Sequence, residues 1–93
     1  MDNEIHIAGL LVHAAEGRSN LVAQHLQDWP GVEIGAVSDD GKMVVVCEGG
    51  SGQEIMNLID RMRELPEVVN VVLVYQHAEP TGEMEKEIGD GHH

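Results

Sequence analysis

The stretch VEIGAVSDDGKMVVVCE, residues 32–48, predicts a β-hairpin near the middle of the chain. Residues 32–37 and 42–48 are two β-compatible runs, of which the first alternates with period two and the second is rich in valine. Between them, Asp39-Asp40-Gly41 supplies the residues that tight turns prefer. We therefore expect two antiparallel strands here, and the rest of the chain must supply the elements that cover them.

A strand and a helix are predicted before the hairpin. Residues 5–14, IHIAGLLVHA, form a long apolar run that is compatible with a strand. Ser19 or Asn20 is the expected N-cap of the helix, and Pro30-Gly31 ends it. The apolar residues between these signals recur at i, i+4 and i+7 and mark one helical face: Val22, Leu26 and Trp29.

A second helix and a last strand are predicted after the hairpin. Ser51-Gly52-Gln53-Glu54 is a capping box, in which a serine hydroxyl and a glutamate carboxylate accept hydrogen bonds from free N–H groups at a helix start. The apolar face that follows consists of Ile55, Leu58, Ile59 and Met62. Leu65-Pro66 ends this helix, and residues 68–76 form a β-branched run.

The resulting order, β-α-β-β-α-β, predicts an α+β fold, the ferredoxin-like βαββαβ sandwich. Right-handed crossovers in this fold place both helices on one face of a four-stranded antiparallel sheet and leave the other face open. A chain of 93 residues suits one domain with one core. We expect this domain to span residues 1–78. Residues 79–93 are rich in charges and are expected to form an acidic, disordered tail.

Charge and composition exclude one class of partner. Seventeen acidic against five basic residues give a formal net charge of −12, which repels phosphate backbones and attracts cationic partners. The chain has no Phe, one Trp and one Tyr, so it offers almost no surface on which bases could stack. No nucleic-acid binding is therefore expected. The bland interpretation is that such acidity only keeps a protein in solution, so charge alone does not identify the partner.

The chain is expected to work in the cytoplasm. Its single cysteine, Cys47, cannot form an internal disulfide, which suits a reducing compartment. Residues 1–4 lack the basic segment of a secretion signal, and no apolar run approaches the roughly eighteen residues that span a membrane. Neither export nor membrane insertion is predicted.

The faces of the predicted sheet do not alternate cleanly between apolar and polar, although a sheet with helices on one side should. In the last strand, the residues assigned to the core side are Val69, Val71, Leu73 and Tyr75. The open face then has an apolar centre that consists of Leu11, Val44, Val46, Val72 and Val74. Its polar rim consists of His13, Glu33, Glu48, Asn70 and Gln76. Contiguous exposed apolar patches usually mark interaction sites.

Different occupants of this apolar centre are consistent with the residues. One is a basic, hydrophobic peptide with leucine and alanine on one side and arginine or lysine at one end, which is the composition of a secretion signal peptide. Another is a second copy of the chain, packed sheet to sheet in a weak homodimer. A third is the acidic tail, folded back over the sheet.

No catalytic residue, metal site or cofactor is predicted. The carboxylates lie mostly on predicted helix surfaces, turns and the tail, so no pair converges on a pocket for acid–base catalysis. Cys47 is expected to point inward and to be an inert core thiol. Metal-ligand spacing is lacking among the histidines His6, His13, His25 and His77. Residues 49–52, GGSG, resemble a phosphate-binding loop but lack its lysine, and neighbouring glutamates would repel an anion.

Four segments together resemble the NapD family, the cytoplasmic maturation chaperones of the periplasmic nitrate reductase. They are LLVHA at 10–14, WPGVE at 29–33, GKMVVVCE at 41–48 and VVLVYQHAE at 71–79, in this order and before an acidic tail. The resemblance covers residues 5–79. One departure is Gly9, where the family is expected to have a small polar residue.

The resemblance implies a ferredoxin-like chaperone that binds the twin-arginine signal peptide of the NapA precursor on its sheet. Such binding would hold the precursor back from the Tat translocase until its molybdenum cofactor and iron–sulfur cluster are installed. The acidic rim and apolar centre inferred from the residues fit this ligand. We expect the peptide's apolar side to pack on the centre and its arginines to approach Glu33, Glu48 or Glu79.

Two other functions are consistent with the fold. A dimeric ferredoxin-like regulatory domain that binds a small molecule needs convergent polar groups, and the predicted open face offers few. An enzyme of the acylphosphatase type needs an anion-binding arginine near a loop. Arg18 precedes the first helix, but no residue is predicted to act with it.

Overall fold

The computed structural model describes residues 4–80 and has the predicted order of elements. The elements are β1 Glu4–Ala14, α1 Ser19–Gln27, β2 Val32–Val37, β3 Lys42–Gly49, α2 Gly52–Arg63 and β4 Val68–Pro80. The strands form one sheet in the order β2-β3-β1-β4, and each pair of neighbours is antiparallel. The predicted α+β, ferredoxin-like arrangement is confirmed. Neither helix within residues 4–80 is long and apolar enough to cross a membrane.

The core lies between the two helices and one side of the sheet. Alternate residues of β1 and β3 are buried there, as predicted, and meet the apolar faces of both helices. The fully or almost fully buried side chains of the sheet and helices include Leu10, Val12, Met43, Val45, Val22, Leu26, Ile55 and Met62. Burial of each such side chain stabilises the fold by roughly 1.5–3 kcal/mol.

The two helices start differently. The Ser51 hydroxyl accepts the Glu54 N–H at 3.2 Å, as the capping box predicts, and the Glu54 carboxylate accepts the Gly50 N–H at 2.8 Å. Helix α1 has no side-chain cap: Arg18 is its N-cap, and Ser19 lies inside the helix. The predicted N-cap at Ser19 or Asn20 is therefore wrong by at least one residue.

Trp29 lies just beyond the end of α1. The sequence predicts Trp29 on the apolar face of that helix. Its half-buried ring packs against the core. The Arg61 guanidinium from α2 lies 4.3 Å from the centre of the ring. A cation over an aromatic ring is attracted by the electrons of the ring face, so this pair ties α2 to the loop before β2.

Strand β4 contains an irregularity that exchanges its two faces. Gly9 pairs with Tyr75, but the next residue of β1, Leu10, pairs with Leu73, so Val74 is an extra residue with no partner across the strands. Such a bulge puts two residues opposite one, and the residues beyond it change sides. Residues directly opposite each other on antiparallel strands share a face. Tyr75 therefore lies on the open face with Gly9, although the sequence assigned it to the core side.

The same bulge moves Gln76 away from its predicted place. Gln76 pairs with Ala8, which is buried on the helix side of the sheet. Its Nε2 lies 3.5 Å from the position that a Cβ would take on Gly52, at the start of α2. The prediction of Gln76 as part of the open rim is therefore wrong.

A second irregularity in the pairing of β1 and β4 shows that the predicted core position of Val69 is wrong. His13 pairs with Asn70 and Ala14 with Val68, so Val69 has no partner in β1. Its side chain is 62% exposed rather than part of the core. Val71, two residues on, is buried as predicted.

Strand β4 lies at an edge of the sheet, and nearby side chains form hydrogen bonds with its backbone there. The Val71 N–H donates to the Asn70 side-chain oxygen at 2.9 Å. The Val71 carbonyl accepts a hydrogen bond from the Arg63 guanidinium at 3.1 Å. Side chains thus take the place of a further strand at this point of the edge.

Strand β4 extends to Pro80, past the predicted end at Gln76. Glu79 pairs with Ile5 and Pro80 with Glu4. Residues 79 and 80, which the sequence assigned to the tail, are therefore part of the sheet. The remainder of the predicted tail, residues 81–93, lies outside the described residues.

Cys47 gives a chemical test of the core. Its side chain is fully buried, and this burial raises the pKa of the thiol from 9.0 to about 11. The fold thus favours the neutral thiol, a contribution to stability that is complete below pH 9 and lost as the pH rises through 11. We expect a thiol reagent at pH 8 to label the native protein only as fast as it unfolds, and to label it quickly in urea. Because this is the only cysteine, rapid native labelling would contradict the buried position.

Candidate functional site

The open face is the side of the sheet opposite the two helices, and an apolar row crosses its middle. Leu11 in β1 pairs with Val44 in β3 and with Val72 in β4. Because paired residues share a face, these three side chains lie next to one another on three adjacent strands. Val44 is 44% exposed and Val72 is similarly exposed, while Leu11 between them is half-buried. These three residues of the predicted apolar centre thus form a continuous surface.

The neighbouring row runs from an acidic residue to an aromatic one across all four strands. Glu33 in β2 pairs with Val46, Val46 pairs with Gly9, and Gly9 pairs with Tyr75. Gly9 leaves room for the tyrosine ring, which lies over it. A Cβ added to Gly9 would sit only 2.6 Å from the Tyr75 Cζ and 2.7 Å from its Cδ2.

A third row continues the face toward the ends of β1 and β4. Ile7 pairs with Glu48 in β3 and with His77 in β4. The His77 ring stacks on the Tyr75 ring, with 6.1 Å between centroids and an angle of 18° between planes. The His77 Nε2 also lies 3.2 Å from a carboxylate oxygen of Glu79. This end of the face is therefore aromatic and acidic.

The opposite end of the face is polar and carries a cation. His13 pairs with Lys42 in β3 and with Asn70 in β4. The Lys42 ammonium lies 3.6 Å from the Asp40 carboxylate. The Ser38 hydroxyl donates to that carboxylate and, as the largest cause, lowers the pKa of Asp40. The face is thus polarised, with Lys42 at one end and the glutamates toward the other.

Two glutamates line a shallow depression at the β2 end of the row that contains Glu33. The depression has a volume of about 200 Å³ and is lined by Gly31, Val32, Glu33, Val46 and Glu48. Gly31 adopts a φ of 77°, and a Cβ there would lie 2.5 Å from the Glu48 carbonyl oxygen. The Glu48 N–H in turn donates to the Gly31 carbonyl at 2.7 Å. A glycine thus fixes the chain beside the two glutamates that line the depression.

This arrangement can bind a cation next to an apolar surface. Carboxylates accept two parallel hydrogen bonds from a guanidinium, which is the strongest common form of such a contact. Val46 lines the depression and also belongs to the apolar part of the face. A ligand with a basic group beside aliphatic side chains would fit both the acidic depression and the adjoining apolar surface.

The structure brings most of the predicted site together. Eight predicted residues share the open face: Leu11, His13, Glu33, Val44, Val46, Glu48, Asn70 and Val72. Val74 is exposed but lies at the bulge, and Gln76 lies on the helix side. The face also contains residues that were not predicted as part of the site, namely Ile7, Lys42, Tyr75 and His77. Within the described residues, no three His, Cys, Asp or Glu side chains cluster closely enough to hold a metal ion.

Gly9 was the sequence signal for two of the missed residues, Tyr75 and His77. An isolated glycine inside a strand often marks a bulge or the close approach of another group. Here it marks the place where the Tyr75 ring crosses β1, and His77 follows because it lies two residues farther along the same strand.

Comparison with known proteins assigns the chain to a family. The NapD protein family matches residues 5–80. The chain belongs to the NapD family. The Chaperone NapD of Escherichia coli K12 is 32% identical over 85 residues, which cover 89% of this chain and 97% of the relative. The Chaperone NapD of Shigella flexneri has the same identity and coverage.

A solved NapD structure has the same fold. The solution structure of the E. coli Tat proofreading chaperone protein NapD matches with a TM-score of 0.75 and 28% sequence identity. The match covers 100% of this chain and 96% of the other. Both the family resemblance and the fold predicted from the sequence are thereby confirmed.

Proposed function

We propose that this NapD-family protein is a cytoplasmic chaperone, without enzymatic activity, that binds the twin-arginine signal peptide of the NapA precursor on its open face. The observation that carries the proposal is the apolar row of Val44, Leu11 and Val72 beside a depression with two glutamates. A signal peptide has the matching pair of features, an apolar segment and adjacent arginines.

The apolar row would supply much of the affinity. Covering a side chain of the size of valine or leucine completely is worth roughly 1.5–3 kcal/mol. Val44 and Val72 are each about half exposed, so a peptide can remove that remaining part from water. Salt does not screen the hydrophobic contribution, and a peptide without arginines would retain it.

The glutamates would supply discrimination. Glu33 and Glu48 line one depression, so a guanidinium placed there has two carboxylates as acceptors. The net charge of −12 also attracts a basic peptide from a distance. Both effects favour peptides with arginine and weaken as salt screens the charges.

The biological effect would follow from occupancy. A signal peptide lying on the sheet is covered on one side and is not free to engage the Tat translocase at the same time. Export is then delayed for as long as the complex lasts, which leaves time for the molybdenum cofactor and the iron–sulfur cluster to be inserted into the precursor. The rate of dissociation therefore sets the length of the delay.

Calorimetric titration tests the proposal directly. The full chain is titrated with the NapA signal peptide of the same organism and with a copy in which both arginines are glutamine. We expect binding to the native peptide, at least about 10-fold weaker binding to the copy, and a smaller difference at high salt. The double variant Glu33→Gln, Glu48→Gln should lose a substantial part of the preference for arginine.

A matched variant controls for net charge. Asp60→Asn with Glu64→Gln removes the same two charges, but from exposed positions on α2 and at its C-cap, away from the open face. This control should bind the native peptide as the unmodified protein does. Absence of binding to either peptide would rule out the proposed function. Equal loss in both double variants would leave only a nonspecific effect of charge.

A further inference from the structure

The open face holds an aromatic ring that packs on a glycine of the neighbouring strand. The Tyr75 ring lies over Gly9, where any side chain with a Cβ would collide with it. His77 stacks beside it, and the ring remains 47% exposed. The tyrosine is therefore supported from below and from the side while part of it still meets solvent.

Such a ring suits a guanidinium. The face of an aromatic ring attracts cations, and the planar guanidinium of arginine can also stack on it, which an ammonium cannot do. Negative charge lies close by, because Glu79 carries its carboxylate 3.2 Å from the His77 ring nitrogen. The surroundings of Tyr75 thus favour a cation, and arginine over lysine.

The position of the ring relates it to the acidic depression. Glu33 and Tyr75 stand at the two ends of one row that crosses all four strands. Three strand spacings separate them, a distance of roughly 14 Å between backbones. One guanidinium is too small to contact both ends of such a row at once, so two neighbouring arginines would use separate partners.

We infer that Tyr75, supported by Gly9, binds one of the two arginines of the signal peptide by stacking, and that the Glu33 and Glu48 depression binds the other. This inference rests on the proposed function and adds to it a separate contact for each arginine. It also gives Gly9 a role, because only glycine at this position lets the ring lie on the sheet.

A cycle of protein and peptide variants tests the inference. The native peptide and two copies, each with one arginine changed to glutamine, are titrated into the unmodified protein and into Tyr75→Leu and Tyr75→Phe variants. We expect Tyr75→Leu to weaken the native peptide by about 2- to 30-fold. It should not weaken further the one copy that already lacks the stacking arginine. Tyr75→Phe, which keeps the ring, should retain the selectivity of the unmodified protein.

The Glu33→Gln, Glu48→Gln variant provides the complementary half of the cycle. Its loss should be coupled to the arginine that Tyr75 does not bind. If Tyr75→Leu instead weakens all three peptides by the same factor, the ring is only an apolar contact and the inference is wrong. If the unmodified protein does not distinguish the native peptide from the copy without arginines, the proposed function itself has failed.

Gly9→Ala tests the support of the ring without removing the tyrosine. The added methyl must displace the ring from its place over β1. We expect this variant to repeat the pattern of Tyr75→Leu, with a thermal unfolding transition that confirms its fold. Full coupling between Tyr75 and an arginine in the Gly9→Ala protein would overturn the role assigned to Gly9. Should Gly9→Ala fail to fold, the Tyr75 variants still decide the inference.

Discussion

Val44→Arg is expected to lower the affinity for the signal peptide by about 100-fold or more while the protein stays folded. Val44 lies in the middle of the apolar row, next to Leu11, and is 44% exposed, so the new side chain can extend into solvent in the free protein. In the complex it would replace an apolar contact and would place a charge under the peptide, close to arginines of the same sign. A lost contact and an unpaired charge together amount to roughly 3 kcal/mol or more.

A second valine provides the control for this prediction. Val37 in β2 is 46% exposed, almost the same as Val44, but it pairs with the buried Met43 and therefore belongs to the other side of the sheet. Val37→Arg makes the same change in net charge and in side-chain size. Titration should show nearly unchanged binding for Val37→Arg. Equal affinities of the two variants would mean that the peptide does not bind on the open face.

Leu10→Ala is expected to lower the free energy of unfolding by about 2–5 kcal/mol. Leu10 is 1% exposed, in the central part of β1, and its truncation leaves a cavity that close-packed neighbours fill only in part. A domain of this size has roughly 5–15 kcal/mol of stability in total, so a large fraction is lost. Urea unfolding followed by circular dichroism measures the change, provided that the slope with denaturant is unaltered.

Leu73→Ala is the matched comparison for Leu10→Ala. Leu73 pairs directly with Leu10 and shares its side of the sheet, yet it is 42% exposed because it lies on the edge strand. Removal of the same atoms there should cost about 1 kcal/mol or less, since much of the side chain already meets water. Similar losses for the two leucines would contradict the position of the core.

The fold was predictable because its signals agree in most of the chain. In residues 8–14 of β1 and 43–47 of β3, the residues at every second position on the core side are all apolar, and the polar residues Glu48 and His13 identify the outer side. The turn at Asp39-Asp40-Gly41 and the capping serine at position 51 fix the ends of elements. The apolar periodicity, the turn residues and the helix cap therefore predict the same βαββαβ arrangement, and the structure has that arrangement.

Strand β4 resisted prediction for a physical reason. Residues 68–74 are almost all valine or leucine, so shifting them by one position changes no apolar residue into a polar one. Nothing in such a run indicates the unpaired Val69 or Val74. The two polar residues used as markers, Asn70 and Gln76, lie on opposite sides of the bulge, and only Asn70 stayed on the open face.

In the candidate site, too, some residues could be predicted from the sequence and others could not. Glu33 and Glu48 were recognisable because the hairpin register alone brings them to one side of adjacent strands. Tyr75 was not, because its place depends on an insertion in a strand that has no local marker. Gly9 carried information about the ring, but a glycine in a strand has several explanations until the residue across from it is known.

The hydrogen bonds of Asn70 and Arg63 with the Val71 backbone bear on resistance to aggregation. A molecule that displays an apolar face risks aggregation through that face. An open strand edge adds a second route, in which the edge strands of two copies pair and extend the sheet. At Val71 that route is closed, since both backbone groups already have partners within the chain. The open face can therefore stay apolar while, at this point of the β4 edge, a second copy finds no unbonded backbone group with which to pair.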